Sequence, residues 1–329
     1  MIRRIKGAGS LSRKLTAILV LSAMATLGYA ADNSIYIDQA GDSSTISIMQ
    51  DGSGNRVRGI NLNGTAGGNT DPAKLTGNAQ TINIDQLGSA NQLSIGATTS
   101  QGGSVAGNTN IGINLNYQVI GSSNIGYINI NNNTQATAGT KGNVIDIQQT
   151  GSGNDMSLSM TGSSNQLTIG TSGDSNTFLG NINASDTVTS LSETGNGNNT
   201  TLTMSGDKGQ VGITLNGASN TTNINQSASG AAGAQIILDI AGSSNTTNIT
   251  QSGSKDHYAN IKINSTQAGS DLNSITLTQS GGSSAGQSAT IDLTGASNTI
   301  GITQQGTLDN LTNLKISGNS NTYTILQKN

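Results

Sequence analysis

The chain is 329 residues long, with 45 Gly, 9% charged residues, 2% aromatic residues and a formal net charge of −3, whereas an ordinary soluble domain carries roughly 25% charged residues. It has no Cys, no Trp, one Pro (Pro72) and one His (His257), which excludes disulfide frameworks and zinc sites built from Cys or clustered His. Such a polar composition would suit a disordered chain, but Ile recurs throughout, and disordered chains are poor in β-branched apolar residues.

Residues 1–30 differ from the rest. Arg3, Arg4, Lys6, Arg13 and Lys14 precede an apolar run from Leu15 to Leu27, and Gly28-Tyr29-Ala30 follows. These are the parts of a secretory signal peptide, with cleavage expected after Ala30; the run is short of the ~20 residues of a membrane span. Its removal takes five basic residues and no acid, leaving an acidic chain poorly matched to nucleic acid.

From residue 31 onward an internal repeat dominates. Gly, two small residues and Asn recur, ending at Asn55, Asn91, Asn124, Asn154, Asn165, Asn176, Asn198, Asn220, Asn245, Asn298 and Asn321. The spacing is 11 residues, doubled to 22, where it is most regular. Between turns the chain alternates: Asn298, Ile300, Ile302, Gln304 and then Gly306. A period of two places the Asn, the apolar residues and the Gln on one face of a strand, and Gly lets the chain reverse. One 11-residue unit is therefore a strand and a turn. Two units make a strand-turn-strand-turn coil, and the predicted fold class is all-β, a β-solenoid with coils of about 22 residues.

Gln39, Gln50, Gln86, Gln149, Gln226, Gln251, Gln279, Gln304 and Gln327 share the inward slot six residues after the corner position, as does Gln267. An isolated buried amide is costly, so the slot predicts amides stacked along the axis and hydrogen-bonded from coil to coil. Glu193, the sole Glu, falls in the same slot and is expected to be partly protonated if it points inward. Polar stretches at 64–79, 97–109, 132–142, 229–234 and 282–288 are expected to be surface loops at coil corners rather than domain boundaries.

At Ile145–Gly162 the block Gln-x-Gly-x-x-Asn stands as Gln149, Gly151 and Asn154, and it returns as Gln50-Gly52-Asn55 and Gln86-Gly88-Asn91. In these motifs the chain resembles the curlins, the bacterial functional-amyloid subunits of curli fibres, over most of its length past residue 30. It is longer and less regular than the family pattern, and the second Gln of a coil is often apolar. The resemblance implies a β-solenoid subunit, exported through an outer-membrane pore, nucleated by a second subunit at the cell surface, and polymerised with copies of itself into an adhesive biofilm matrix.

Unpaired strand edges also favour polymerisation. The strands Ser34–Gln39 and Thr322–Gln327 carry no obvious cap, and open solenoid ends stack head to tail into a non-closing polymer. Outward Asp38, Asp85, Asp146, Asp239 and Asp292 either delay premature association or simply solvate an outer face. No catalytic, cofactor-binding or metal-binding constellation is expected. His257 reads as a surface turn residue without a nucleophile beside it, and the turns lack the Gly-Gly-x-Gly-x-Asp pattern of calcium-binding repeats. The alternative functional reading is a monomeric β-solenoid adhesin or an ice-binding rod, for which the outward Thr pairs Thr201/Thr203 and Thr322/Thr324 are scattered in the sequence.

Overall fold

The computed structural model describes residues 33–40, 45–60, 71–76, 81–99, 114–132, 143–162, 165–183, 187–205, 209–228, 234–253, 257–263, 271–281 and 286–329. The proposed leader and most of the five polar stretches lie outside them. The described residues contain strands, turns and no helix. The chain divides into two compact units, residues 1–167 and 168–329, and each is a β-solenoid of parallel coils.

In the 168–329 unit, the first sheet stacks Thr177–Asn183, Asn199–Ser205, Thr221–Ala228, Thr246–Gly253, Ser274–Gly281, Thr299–Gly306 and Thr322–Lys328, every pair parallel and in register. The second sheet stacks Gln235–Ile240, Tyr258–Ile263, Gln287–Thr294 and Asn310–Ser317. Register follows from the alternation. A slip of one residue would turn every inward Ile to water. Ile224, Ile249, Leu277 and Ile302 instead lie directly over one another and are at most 2% exposed. Each such side chain is worth about 1.5–3 kcal/mol of burial.

The 1–167 unit has the same plan, with Gln92–Thr99, Ile125–Asn132 and Asp155–Thr161 in its first sheet and Thr45–Ile46, Thr81–Ile82, Asn114–Leu115 and Val144–Asp146 in its second. Tyr117 fills its core opposite Gly126, where a Cβ would strike the phenol oxygen. That hydroxyl is buried without a partner, and burial pushes it well above the usual phenol range.

The structure corrects the expected loop boundaries. Residues 71–76, placed inside the 64–79 loop by sequence, contain the strand Ala73–Thr76, whose Ala73 and Leu75 are fully buried. Ser34–Ile35 pairs with Arg56–Arg58, and Ile37–Ala40 pairs with Ala73–Thr76. The insert therefore interrupts a strand instead of lengthening a corner, and the N–H of Gly59 donates to the Asp71 carbonyl at 2.7 Å where the chain leaves and returns. Likewise Gln92–Thr99 runs into the 97–109 stretch, Ile125–Asn132 reaches residue 132, Ala234 is buried, and Gln287–Thr294 starts within 282–288. The polar residues in these segments mislead because a strand with a solvated outer face needs only every second side chain to be apolar.

Candidate functional site

The side chains that set this molecule apart are the buried amides along the coil axes. In the 1–167 unit, Asn33, Asn55, Asn91, Asn124 and Asn154 form one corner column. Each backbone N–H donates to the Oδ1 of the Asn one coil earlier, at 2.9 to 3.1 Å. The 168–329 unit repeats this through Asn176, Asn198, Asn220, Asn245, Asn273, Asn298 and Asn321, at 2.9 to 3.2 Å. The Asn Nδ2 in turn donates to a Gly carbonyl of the following coil, as from Asn220 to Gly242 at 2.7 Å and from Asn298 to Gly318 at 2.9 Å.

This geometry explains the Gly-x-x-Asn spacing. Gly52 has φ +104°, and a Cβ on it would collide with the Gly88 carbonyl one coil away. The residue just before the Asn is left-handed, as at Ser219 (φ 57°) and Ser297 (φ 59°), which favours small residues or Gly. Asn165 stands in a separate corner column, with its N–H on Asn143 Oδ1 at 3.0 Å. Asn33 and Asn273 are column members that the motif does not reveal. At the latter, Asp271 takes a turn position, accepting from the Ser243 N–H at 2.8 Å, and Leu272 is held at φ 49°.

The Gln residues occupy two different walls. In the 168–329 unit they line the first sheet. Gln226 donates to Gln251 at 3.0 Å, Gln251 to Gln279, Gln279 to Gln304 and Gln304 to Gln327, each of the last three at 2.8 Å. The Nε2 of Gln251, Gln279 and Gln304 also donates to the opposite wall, to the carbonyls of Gln235, Tyr258 and Ser288, and that of Gln327 donates there to Leu311. From Gln251 to Gln304 these amides are fully buried and hydrogen-bonded along the axis and across it. Gln327 is half-buried.

In the 1–167 unit Gln50, Gln86 and Gln149 follow second-sheet positions instead. Gln86 donates to Gln50 at 2.7 Å, but Leu87 bridges to Ile120, which brings Val119 and not another amide beside Gln86. The Gln86 Oε1 therefore has no partner, and neither amide atom of Gln149 has one. Gln39 is half-buried in the first coil. Gln267 lies outside the described residues.

Glu193 is 1% exposed and points inward. Ser172 bridges to Thr194, so Thr171 is its neighbour on one side; Leu215 is its neighbour on the other, the Leu215 N–H donating to the Ser192 carbonyl. Burial pushes its carboxyl up to about 7, and the Thr200 hydroxyl pulls the other way. That pull falls short of a hydrogen bond, since Thr200 Oγ1 and both carboxyl oxygens are unpartnered.

His257 is fully buried, not a surface turn residue. It occupies the second-sheet corner and acts as an Asn substitute: its Nδ1 accepts from the Gln287 N–H at 3.2 Å, as Asn143 Oδ1 accepts from Asn165, while its Nε2 lies 2.9 Å from the Ser252 carbonyl. That arrangement fixes the neutral tautomer with the proton on Nε2.

Of the outward acids, Asp239 and Asp292 join a column that alternates in sign, Asp239–Lys262–Asp292–Lys315, with Asp292 Oδ2 3.4 Å from Lys315 Nζ. Among the described residues no group of His, Cys, Asp or Glu could hold a metal ion, and no helix is long and apolar enough to cross a membrane. No family model, no curated protein and no solved structure matches the chain.

Proposed function

We propose that this chain is an exported, non-enzymatic structural subunit that stacks end to end into extracellular, curli-type fibres, giving a biofilm matrix its cohesion and adhesion. The observation that carries the reading is the terminal coil. Thr322–Lys328 pairs with Thr299–Gly306 on one edge, and its other edge has no partner among the described strands. It ends both amide columns of its unit, at Asn321 and Gln327.

The first described coil offers a matching pattern, with Asn33, Ile35, Ile37 and Gln39 against Asn321, Tyr323, Ile325 and Gln327. A second copy laid on in register continues every column. The Asn33 N–H meets Asn321 Oδ1, Ile37 covers Ile325, and Gln39 meets Gln327, each with the donor direction used inside the chain. Such a contact does not close on itself, so it propagates. The resemblance to curlins points the same way, and export through an outer-membrane pore and nucleation by a second subunit stand on that resemblance.

The test is to purify residues 31–329 in denaturant, remove the denaturant, and follow thioflavin-T fluorescence with electron microscopy and fibre diffraction. Unbranched fibres with a ~4.8 Å reflection, seeded by their own fragments, are expected. A soluble β-rich monomer that never seeds would overturn the proposal in favour of a monomeric rod.

A further inference from the structure

We propose that the outer face of the first sheet in the 168–329 unit is a self-association surface on which a second copy of this chain packs side by side. This lateral contact does not depend on end-to-end stacking. It rests on a separation of charge that only the strand register makes visible. From Thr177 to Gln305, the first-sheet strands of this unit contain no charged residue at all, and Lys328 is the first.

From Asn199 to Gln305 the outward positions are instead hydroxyls and amides in straight columns, broken only by Gly301, and the first and last strands add the exposed Leu179 and Leu326. Thr203, Asn225, Thr250, Thr278 and Thr303 lie over one another. So do Thr221, Thr246, Ser274 and Thr299. Thr pairs that look scattered along the sequence are thus collected on one plane. The second sheet of the same unit is different, since its outer face carries the alternating Asp239–Lys262–Asp292–Lys315 column. In the 1–167 unit, Arg56, Arg58 and Asp155 occupy first-sheet strands.

Packing a sheet face against a copy of itself strips water from its outer groups. That is expensive for Asp and Lys and cheap for Thr methyls and for amides already bonded to one another. Asn223 Nδ2 already donates to Asn248 Oδ1 at 2.8 Å along its column. Identical uncharged columns repeating every ~4.8 Å are also the surfaces that interdigitate as dry sheet interfaces.

The size is sufficient. At ~4.8 Å per strand and ~3.3 Å per residue the face measures about 30 Å by about 24 Å. Two such faces bury on the order of 1,400 Å² in total, within the range of stable protein pairs. The chemistry selects a second copy over a flat polysaccharide, because no aromatic ring stands in the outward rows to stack on sugars; Phe178 points inward and is buried.

The experiment introduces one charge on this face and one on the other. Thr250→Lys, with Asn225→Asp as a second variant, alters the first sheet; Asn260→Lys alters the second-sheet face. Circular dichroism checks that each retains its β content. Sedimentation of the soluble chain and the mass per length of any fibres are then measured.

The wild-type chain and Asn260→Lys are expected to be dimeric, or to form filaments with twice the mass per length of a single solenoid. Both first-sheet variants should halve that value. A wild-type chain that is monomeric when soluble and single in its filaments would overturn the proposal and leave the face free for a hydrated lattice such as ice; first-sheet variants that stay paired would overturn it too. If no fibres form, end-to-end stacking fails, and the dimer-to-monomer shift still decides the lateral contact.

Discussion

Replacing Glu193 with Gln should make the 168–329 unit more stable at neutral and alkaline pH and leave it unchanged in acid. The native carboxyl titrates near 7 against an ordinary value of 4.5, so the folded chain holds this proton more tightly than the unfolded chain does. Below about pH 4.5 both states are protonated and the group contributes nothing to the pH dependence. As the pH rises through 4.5 the unfolded chain ionises freely while the native carboxyl resists, and stability falls until about pH 8. At ~1.4 kcal/mol per pH unit of difference, the full penalty is about 3 kcal/mol. The amide of the variant carries no such penalty, because it does not ionise. The assay is urea unfolding of freshly desalted, unassembled chain at pH 4, 6 and 8.5, followed by circular dichroism. The wild type should lose stability across this range relative to Glu193→Gln, with the two converging at pH 4. Parallel pH profiles for the two proteins would refute the reasoning, because a solvated or ion-paired carboxylate would produce them.

Gln304→Leu leaves the Gln279 Nε2 and Gln327 Oε1 without their axial partners and should cost about 1–3 kcal/mol, whereas Gln149→Leu removes two buried unpartnered atoms and should stabilise by about 1 kcal/mol, both read from unfolding midpoints. Ile302→Lys buries an unpaired charge beside that column and should abolish assembly under conditions in which Gln304→Leu only slows it, as followed by thioflavin-T; equal kinetics for the two would remove the inward assignment. Leu272→Gly relieves a left-handed Leu at φ 49° and should raise the thermal midpoint, corresponding to about 0.5–1 kcal/mol.

The fold is legible in the sequence because two periodicities act on different residues. Alternation within each strand marks the inner face, and Gly-x-x-Asn marks the corner, so the coil can be read without knowing which coil lies beside it. What cannot be read depends on lateral neighbours. The amide slot at Gln149 and at Gln304 looks the same in sequence, yet Gln304 has an amide on either side and Gln149 has no partner. Inserts shift the phase between coils, with Asn ladder steps of 22 residues at Asn198 and Asn220 but 36 at Asn91, and that hides which wall a given Gln lines. Asn273 is hidden because Asp271 rather than a motif Gly shapes its turn. His257 looks like a surface residue because an imidazole at a corner can play the part of an Asn only if the next coil supplies an N–H, and that N–H belongs to Gln287, distant in sequence.

The charged residues follow the same logic from the opposite direction. Within a column, Asp239, Lys262, Asp292 and Lys315 alternate in sign, so a second-sheet coil stacked one step out of order would place like charges about 4.8 Å apart. Exposed pairs of this kind contribute little to stability, ~0.2–1 kcal/mol, and Lys315 is 78% exposed. Their effect is on order rather than strength. The inner amide columns look alike from coil to coil, since any Asn can receive any other at its corner. The apolar columns are nearly as permissive, with Ile and Leu interchanged along them. A solenoid held by such columns alone could add a coil from any copy at any position. The alternating charges discriminate between coils inside the 168–329 unit, while Thr322–Lys328 offers a new coil only hydroxyls, amides and apolar side chains until Lys328. The charges thus favour one order of coils inside the 168–329 unit, and the outer edge of Thr322–Lys328, which has no partner among the described strands, carries no such discrimination before Lys328.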